Sequence, residues 1–232
     1  MSDYVPLVRN GAGFLMSFEG CDGSSKTTQS QLLYGRLLDE LDIPVTLVRE
    51  PGSTYNSEEI RNIVLTPREN KWEMVSELLL FQVARRELLA KVIVPELNAG
   101  NIVICDRFID STIAYQACGS GIPLKIVMAA IQIATEGILP DLTIVCDVPT
   151  EIGLERIRNK APDRFESMDV GFFERARQSF LDLSARERCV MVDASGSIKE
   201  IHNTIYETFK NRYSKHVEGT VLQNSNQQFD CV

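Results

Sequence analysis

An apolar stretch, Phe14-Leu15-Met16-Ser17-Phe18, runs straight into Glu19-Gly20-Cys21-Asp22-Gly23-Ser24-Ser25-Lys26-Thr27-Thr28. The segment that follows carries Leu33, Leu37 and Leu41 every four residues, the spacing of one helix face. A buried strand, a short Gly-containing loop and a helix opening on Lys-Thr together make a phosphate cradle. The loop N–H groups and the positive end of the helix dipole then face one anion. Lys26 would reach the β- and γ-phosphates, and the Thr27 hydroxyl would ligate Mg²⁺. The general pattern G-x-x-x-x-G-K-[ST] asks for glycine at position 25, where this chain has Ser25. Glycine lets the backbone approach phosphate with no Cβ in the way. Serine is expected to stand in only with a negative φ and its side chain turned away from the ligand. A Ser-rich turn capping an ordinary helix is the competing reading, and the strand-before, helix-after context argues against it.

Composition bounds the rest. The chain has 232 residues, enough for one α/β domain with a sizeable core. Acidic residues outnumber basic ones 32 to 24 and the net charge is -8, which argues against a nucleic-acid binder held by nonspecific phosphate contacts. A small phosphorylated ligand stays open, because a pocket needs only a few local cations. Cysteines fall at 21, 105, 118, 146, 189 and 231 with no C-x-x-C pair, and only two histidines accompany them, so a zinc site is not expected. Cys105, Cys146 and Cys189 lie in or beside apolar runs and read as reduced core thiols, which suits a cytoplasmic setting. Cys21, in the loop, is either a reactive thiol or a bland position. No stretch reaches the length of a membrane helix, and no signal peptide is recognised at the N-terminus.

Five apolar runs, 13–19, 44–49, 101–105, 142–147 and 188–193, read as strands. They are β-branched and largely continuous, as expected of parallel strands covered on both faces. Helical segments are expected at 27–41, 56–65, 72–98, 109–138 in pieces, 149–158, 169–187 and about 197–212. Strand–helix alternation predicts a doubly wound parallel sheet with ligands beyond the carboxyl ends of its strands. Residues 1–12 read as an N-terminal extension and 13–213 as a single domain. Residues 214–232 read as a polar tail, expected to be mobile or loosely docked.

Four further clusters lie at such strand ends or beside them. Arg49-Glu50-Pro51-Gly52-Ser53-Thr54 follows the second strand and reads as a rigid turn. Phe81 and Arg85 are four apart on one helix face and can hold a nucleobase by stacking and edge hydrogen bonds. Spacing alone favours a core Phe and a solvated Arg. Asp106-Arg107-Phe108-Ile109-Asp110-Ser111-Thr112-Ile113-Ala114-Tyr115-Gln116 puts a carboxylate and a guanidinium directly after a buried strand. The guanidinium fork matches phosphate oxygens, while Thr112, Tyr115 and Gln116 offer polar groups to a sugar and base. A structural Asp106–Arg107 ion pair is the alternative there. Residues 156–168, with Arg156, Arg158, Lys160 and Arg164 around Pro162, read as a mobile lid over a polyphosphate or as a solvated charged loop.

Taken in order, E-G-x-D-G-x-x-K-T-T, R-E-P-G, L-F-x-x-A-R, D-R-x-x-x-S-T-x-A-Y-Q, P-D-L-T and D-R-F-E resemble the bacterial thymidylate kinases from about Phe14 to Phe209. Each motif is weakly specific, whereas the ordered set is highly specific. The resemblance implies a P-loop NTPase-type, doubly wound, five-stranded parallel sheet flanked by helices on both faces, with a short mobile lid. It implies phosphorylation of dTMP by ATP with Mg²⁺, and a homodimer. The loop from Gly20 through Cys21, Asp22, Gly23, Ser24, Ser25, Lys26 and Thr27 to Thr28 would wrap the ATP phosphates. Phe81 would stack on thymine and Arg85 would bond its edge. Arg107 would grip the acceptor phosphate, Asp22 would touch the deoxyribose or the acceptor side, and Ser111, Thr112, Tyr115 and Gln116 would line the nucleoside pocket. Tyr115 would crowd the 2′ position.

The family has two layouts for one catalytic arginine, in the phosphate loop or in the lid. Gly23 and Arg164 place this chain in the second, with Arg158 and Lys160 as back-ups. The expected catalytic set is Lys26, Arg107, Arg164 and Asp22, with Thr27 on the metal. Ser25 departs from the family pattern. It keeps two alternatives open, a kinase for another nucleotide or nucleoside and a nucleotide-binding regulator with impaired turnover.

Overall fold

In the computed structural model, residue 4 and residues 6–67, 69–158 and 169–227 are described, side chains of 221–227 excepted. Five strands form one parallel sheet: β1 (Phe14–Glu19), β2 (Val45–Arg49), β3 (Ile102–Asp106), β4 (Leu142–Asp147) and β5 (Cys189–Asp193), in the order β2-β3-β1-β4-β5. β1 sits at the centre, with Phe14 opposite Ile102 on one side and Met16 opposite Leu142 on the other. Its side chains divide by the strand's period of two. Phe14, Met16 and Phe18 pack beneath α1 (Lys26–Glu40) and α9 (Ile198–Gln227), while Leu15 joins the core under α3 (Met74–Leu88) on the opposite face. Burial on both faces explains why the strands read as continuous apolar runs.

Each strand lies within one residue of its expected span. The helices differ more. The segment expected as one helix over 72–98 is α3, a wider π-type turn at Leu89–Ile93, and α4 (Val94–Asn98). Pro95 has no N–H to bond back to Lys91, so the α-ladder cannot run unbroken there. The 109–138 region resolves into α5 (Ile109–Thr112), a π-type continuation at Ile113–Gly119, and α6 (Leu124–Thr135). The remaining helices are α2 (Tyr55–Leu65), α7 (Thr150–Ile157) and α8 (Val170–Asp182).

The last helix does not stop near 212. α9 continues to Gln227, because its apolar stripe does not end where the polar tail begins: Phe209, Tyr213 and His216 each meet the Phe14 ring edge-on. The N-terminal extension meets that stripe, with His216 Nε2 donating to the Ala12 carbonyl oxygen at 2.9 Å. Arg9 ties the same segment to Asp141 at 2.6 Å. No helix among the described residues is long and apolar enough to cross a membrane.

Candidate active site

The sheet brings three loops to one edge, after β1, β2 and β3. Between them lies a cavity of about 400 Å³, a size that suits a nucleotide-scale ligand. Of the loop residues expected at phosphate, Asp22, Gly23, Ser25, Lys26, Thr27 and Thr28 line it. Gly20, Cys21 and Ser24 do not. They form the back of the loop, where the Cβ of any residue at 20 would fall 2.3 Å from the Cys146 carbonyl oxygen. Cys21 packs with Phe172 and Phe173, and burial pushes its thiol up to about 11, so it has little thiolate character.

Ser25 departs from the expected geometry. Its φ is 66° and its ψ 9°, the left-handed conformation the usual glycine would take, and not a negative φ. The loop holds the shape of the general pattern, and serine adapts to it. Lys26 leans along the loop, its ammonium donating to the Cys21 carbonyl oxygen at 3.1 Å and to Asp22 Oδ1 at 3.4 Å. The Thr27 hydroxyl donates to Asp106 Oδ2 at 2.6 Å. Asp106 Oδ1 is buried without a hydrogen-bond partner among the described residues. A hydroxyl and a carboxylate with a spare oxygen at the mouth of a phosphate loop are hard donors that fit a divalent cation.

Arg107 occupies the facing wall, with a left-handed φ of 72°. It does not pair with the neighbouring Asp106. Its guanidinium reaches across the cavity to Asp22 and donates to Ser111 Oγ at 3.1 Å. Burial would push the Asp22 carboxyl up, but the charges of Arg107 and Lys26 overcome it and hold it down at about 2. Tyr115 completes the corner, its ring 5.2 Å beneath the Arg107 guanidinium carbon and its hydroxyl 3.4 Å from Asp22 Oδ2. Behind them Glu19 is fully buried. It accepts from the Phe108 N–H at 2.8 Å and from Ser111 Oγ at 2.5 Å.

The far end of the cavity carries Phe81 and Arg85. Arg85 is not a solvated arginine: it is 4% exposed and paired with Glu50 at 2.7 Å. Its remaining bonds go to Gln82 Oε1 at 2.7 Å, the Phe108 carbonyl oxygen at 3.1 Å and Thr112 Oγ1 at 3.0 Å. Thr112 and Gln116 line the same end.

The sequence gives no sign of Arg61 at the site, and it gives Glu50 and Arg156 no role of their own there. Glu50 stood in a turn whose signal was weak alone. Arg61, on α2, lines the cavity and donates to the Pro51 carbonyl oxygen at 2.7 Å. Arg156, on α7, lines it too and donates to the Gly23 and Ala194 carbonyl oxygens at 3.1 and 3.0 Å. Arg156 thus belongs to α7 and the phosphate loop, and not to the expected lid. Arg158 closes α7 at an exposed position and does not line the cavity. Lys160 and Arg164 lie outside the described residues.

Comparison with known proteins identifies the family. A family model described as thymidylate kinase matches residues 18–205. A thymidylate kinase of Sulfurihydrogenibium sp. is 40% identical over 202 residues, covering 86% of this chain and 98% of its own. One from Symbiobacterium thermophilum is 39% identical over 192 residues, covering 82% and 89%. A crystal structure of thymidylate kinase from Ehrlichia chaffeensis superposes with a TM-score of 0.70 at 34% identity, covering 85% of this chain and 98% of that one. With the family model spanning both walls of the cavity and relatives matched over nearly their whole length, the chain belongs to the thymidylate kinase family.

Proposed function

We propose that this chain transfers the γ-phosphoryl group of ATP to dTMP, giving dTDP and ADP. The observation that carries the reading is the contact of Asp22 with Arg107. It joins a phosphate loop to a cationic wall across one cavity, so donor and acceptor phosphates meet between them. The attacking atom is a phosphate oxygen, already anionic at neutral pH, and needs no general base. Catalysis then consists of in-line alignment and relief of repulsion between two anions.

Lys26 and the loop N–H groups hold the β- and γ-phosphates. Arg107 grips the acceptor phosphate, exchanging its bond to Asp22 for phosphate oxygens, and Asp22 turns to the sugar. A bound Mg²⁺ would neutralise charge on the transferring phosphates, held by Thr27 and the spare oxygen of Asp106. Phe81 stacks on the base. Arg85 bonds the base edge through the guanidinium hydrogen left over from Glu50, Gln82, Phe108 and Thr112. Ser111, Thr112 and Gln116 line the nucleoside pocket, and Tyr115 closes it at the 2′ side. The lid supplies Arg164. In support, a Cβ at Gly23 would fall 2.1 Å from the Gly153 carbonyl oxygen, so the loop has no room for an arginine of its own.

The homodimer reading is supported by exposed apolar residues on two helices that pack together, Leu79 and Val83 on α3 and Ile133 on α6. Sedimentation should give a dimer mass, and a monomer at micromolar concentration would contradict it. The reaction itself is followed by ³¹P NMR of protein with ATP, Mg²⁺ and dTMP. dTDP and ADP should appear in equal amounts. ATP loss as ADP and inorganic phosphate, without dTDP, would overturn the proposal.

A further inference from the structure

We infer that the Ser25 hydroxyl is itself a ligand of the phosphoryl donor, donating a hydrogen bond to its β-phosphate oxygens. The inference rests on the kinase reading of this site and deepens it. Ser25 and Ser24 are adjacent but differently placed: Ser24 is fully buried and off the cavity, whereas Ser25 lines it. The left-handed backbone at 25 is disfavoured for any residue with a Cβ. The Ser25 hydroxyl offsets none of that within the protein, since it makes no capping bond to α1 or any other hydrogen bond among the described residues. Its surroundings define what it can bind. Lys26 follows it, the helix N-terminus is beneath it, and Gly23 lines the same stretch of wall. A hydroxyl beside a cation at a helix N-terminus meets an acceptor-rich, anionic ligand, and at neutral pH phosphate oxygens only accept. Serine at this position thus adds a donor that glycine lacks.

Binding without turnover separates this from mere tolerance of serine. ADP, AMP and dTMP are titrated calorimetrically into the wild type, Ser25→Ala and Ser25→Gly. Alanine keeps the Cβ and the backbone strain but removes the hydroxyl. It should weaken ADP binding about tenfold, the scale of one hydrogen bond to a charged group, and leave AMP and dTMP unchanged. Glycine should raise the melting temperature above that of Ser25→Ala without recovering wild-type ADP affinity. Wild-type ADP affinity in Ser25→Ala, or tighter binding in Ser25→Gly than in the wild type, would overturn the inference. Should Ser25→Ala fail to fold, weakened ADP binding by Ser25→Gly carries the test alone. A wild type that makes no dTDP yet shows this Ser25 dependence would sink the kinase reading and leave the inference standing. A wild type that makes dTDP while Ser25→Ala binds ADP normally would do the reverse.

Discussion

Two buried carboxyls show what single residues contribute around the site. Glu19 lies fully buried behind Arg107, with Asp110 close by; burial first and that neighbouring charge second raise it to about 8, against the bond from Ser111. The unfolded chain releases this proton near the ordinary 4.5, whereas the native state keeps it until about 8. Between those values the native state binds more protons, so stability falls as pH rises. Glu19→Gln, which mimics the protonated form, should flatten that decline in melting temperature; an unchanged slope would show that Glu19 is ionised in the native state. Glu50 acts through its charge. It is 6% exposed and faces the 4% exposed Arg85, so Glu50→Ala strands a buried guanidinium. A loss of about 3–5 kcal/mol in denaturant unfolding is expected, because a broken buried pair leaves an uncompensated charge. Neither partnership was legible in the sequence. Glu50 and Arg85 stand 35 residues apart, and Asp22 and Arg107 85 apart, so only the sheet order joins them. The left-handed φ of Ser25 was hidden for the opposite reason: it is local, but the residue type speaks against it. Holding it there costs about 1–2 kcal/mol, which the surrounding loop imposes.

Among the elements, the strands were legible because continuous β-branched runs have few other solutions when both faces are covered. The helices were legible in place but less so in form. Pro95 interrupts a segment whose hydrophobic spacing runs on through it, so periodicity alone joined three pieces into one. α9 shows the same limit at its end. Composition turns polar after Tyr213, yet His216 continues the aromatic ladder over Phe14, with Phe209 and Tyr213 stacked 5.3 Å apart. That ladder anchors the helix to the central strand. Phe209 is 2% exposed, and Phe209→Ala should destabilise by about 3–5 kcal/mol, chiefly by the cavity it leaves. It lies across the sheet from the acceptor wall, so dTMP binding by the folded variant should be unchanged. A selective loss of dTMP affinity without loss of stability would contradict a purely structural role.

At the scale of the whole molecule, the order β2-β3-β1-β4-β5 places the loops after β1, β2 and β3 around one cavity. On the proposed reaction one wall then holds the donor and the other the acceptor, and Arg164 is the further cation. A cation that acts mainly in the transition state shows itself in rate and not in affinity. Arg164→Ala should therefore lower kcat by about 10³–10⁵ while dTMP affinity changes little. An unchanged kcat would remove the lid arginine from the mechanism. The base end makes a separate demand, since on the proposed reading Phe81, the tethered Arg85 and Tyr115 are to accept a pyrimidine deoxynucleotide. The most direct measurement is a coupled ADP-release assay with ATP and Mg²⁺, offering dTMP beside dUMP, dCMP, dGMP and AMP. The expected result is turnover strongly favouring dTMP, with the purine monophosphates rejected. Equal turnover with a purine acceptor, or none with dTMP from folded protein that still binds ATP, would contradict dTMP as the phosphoryl acceptor.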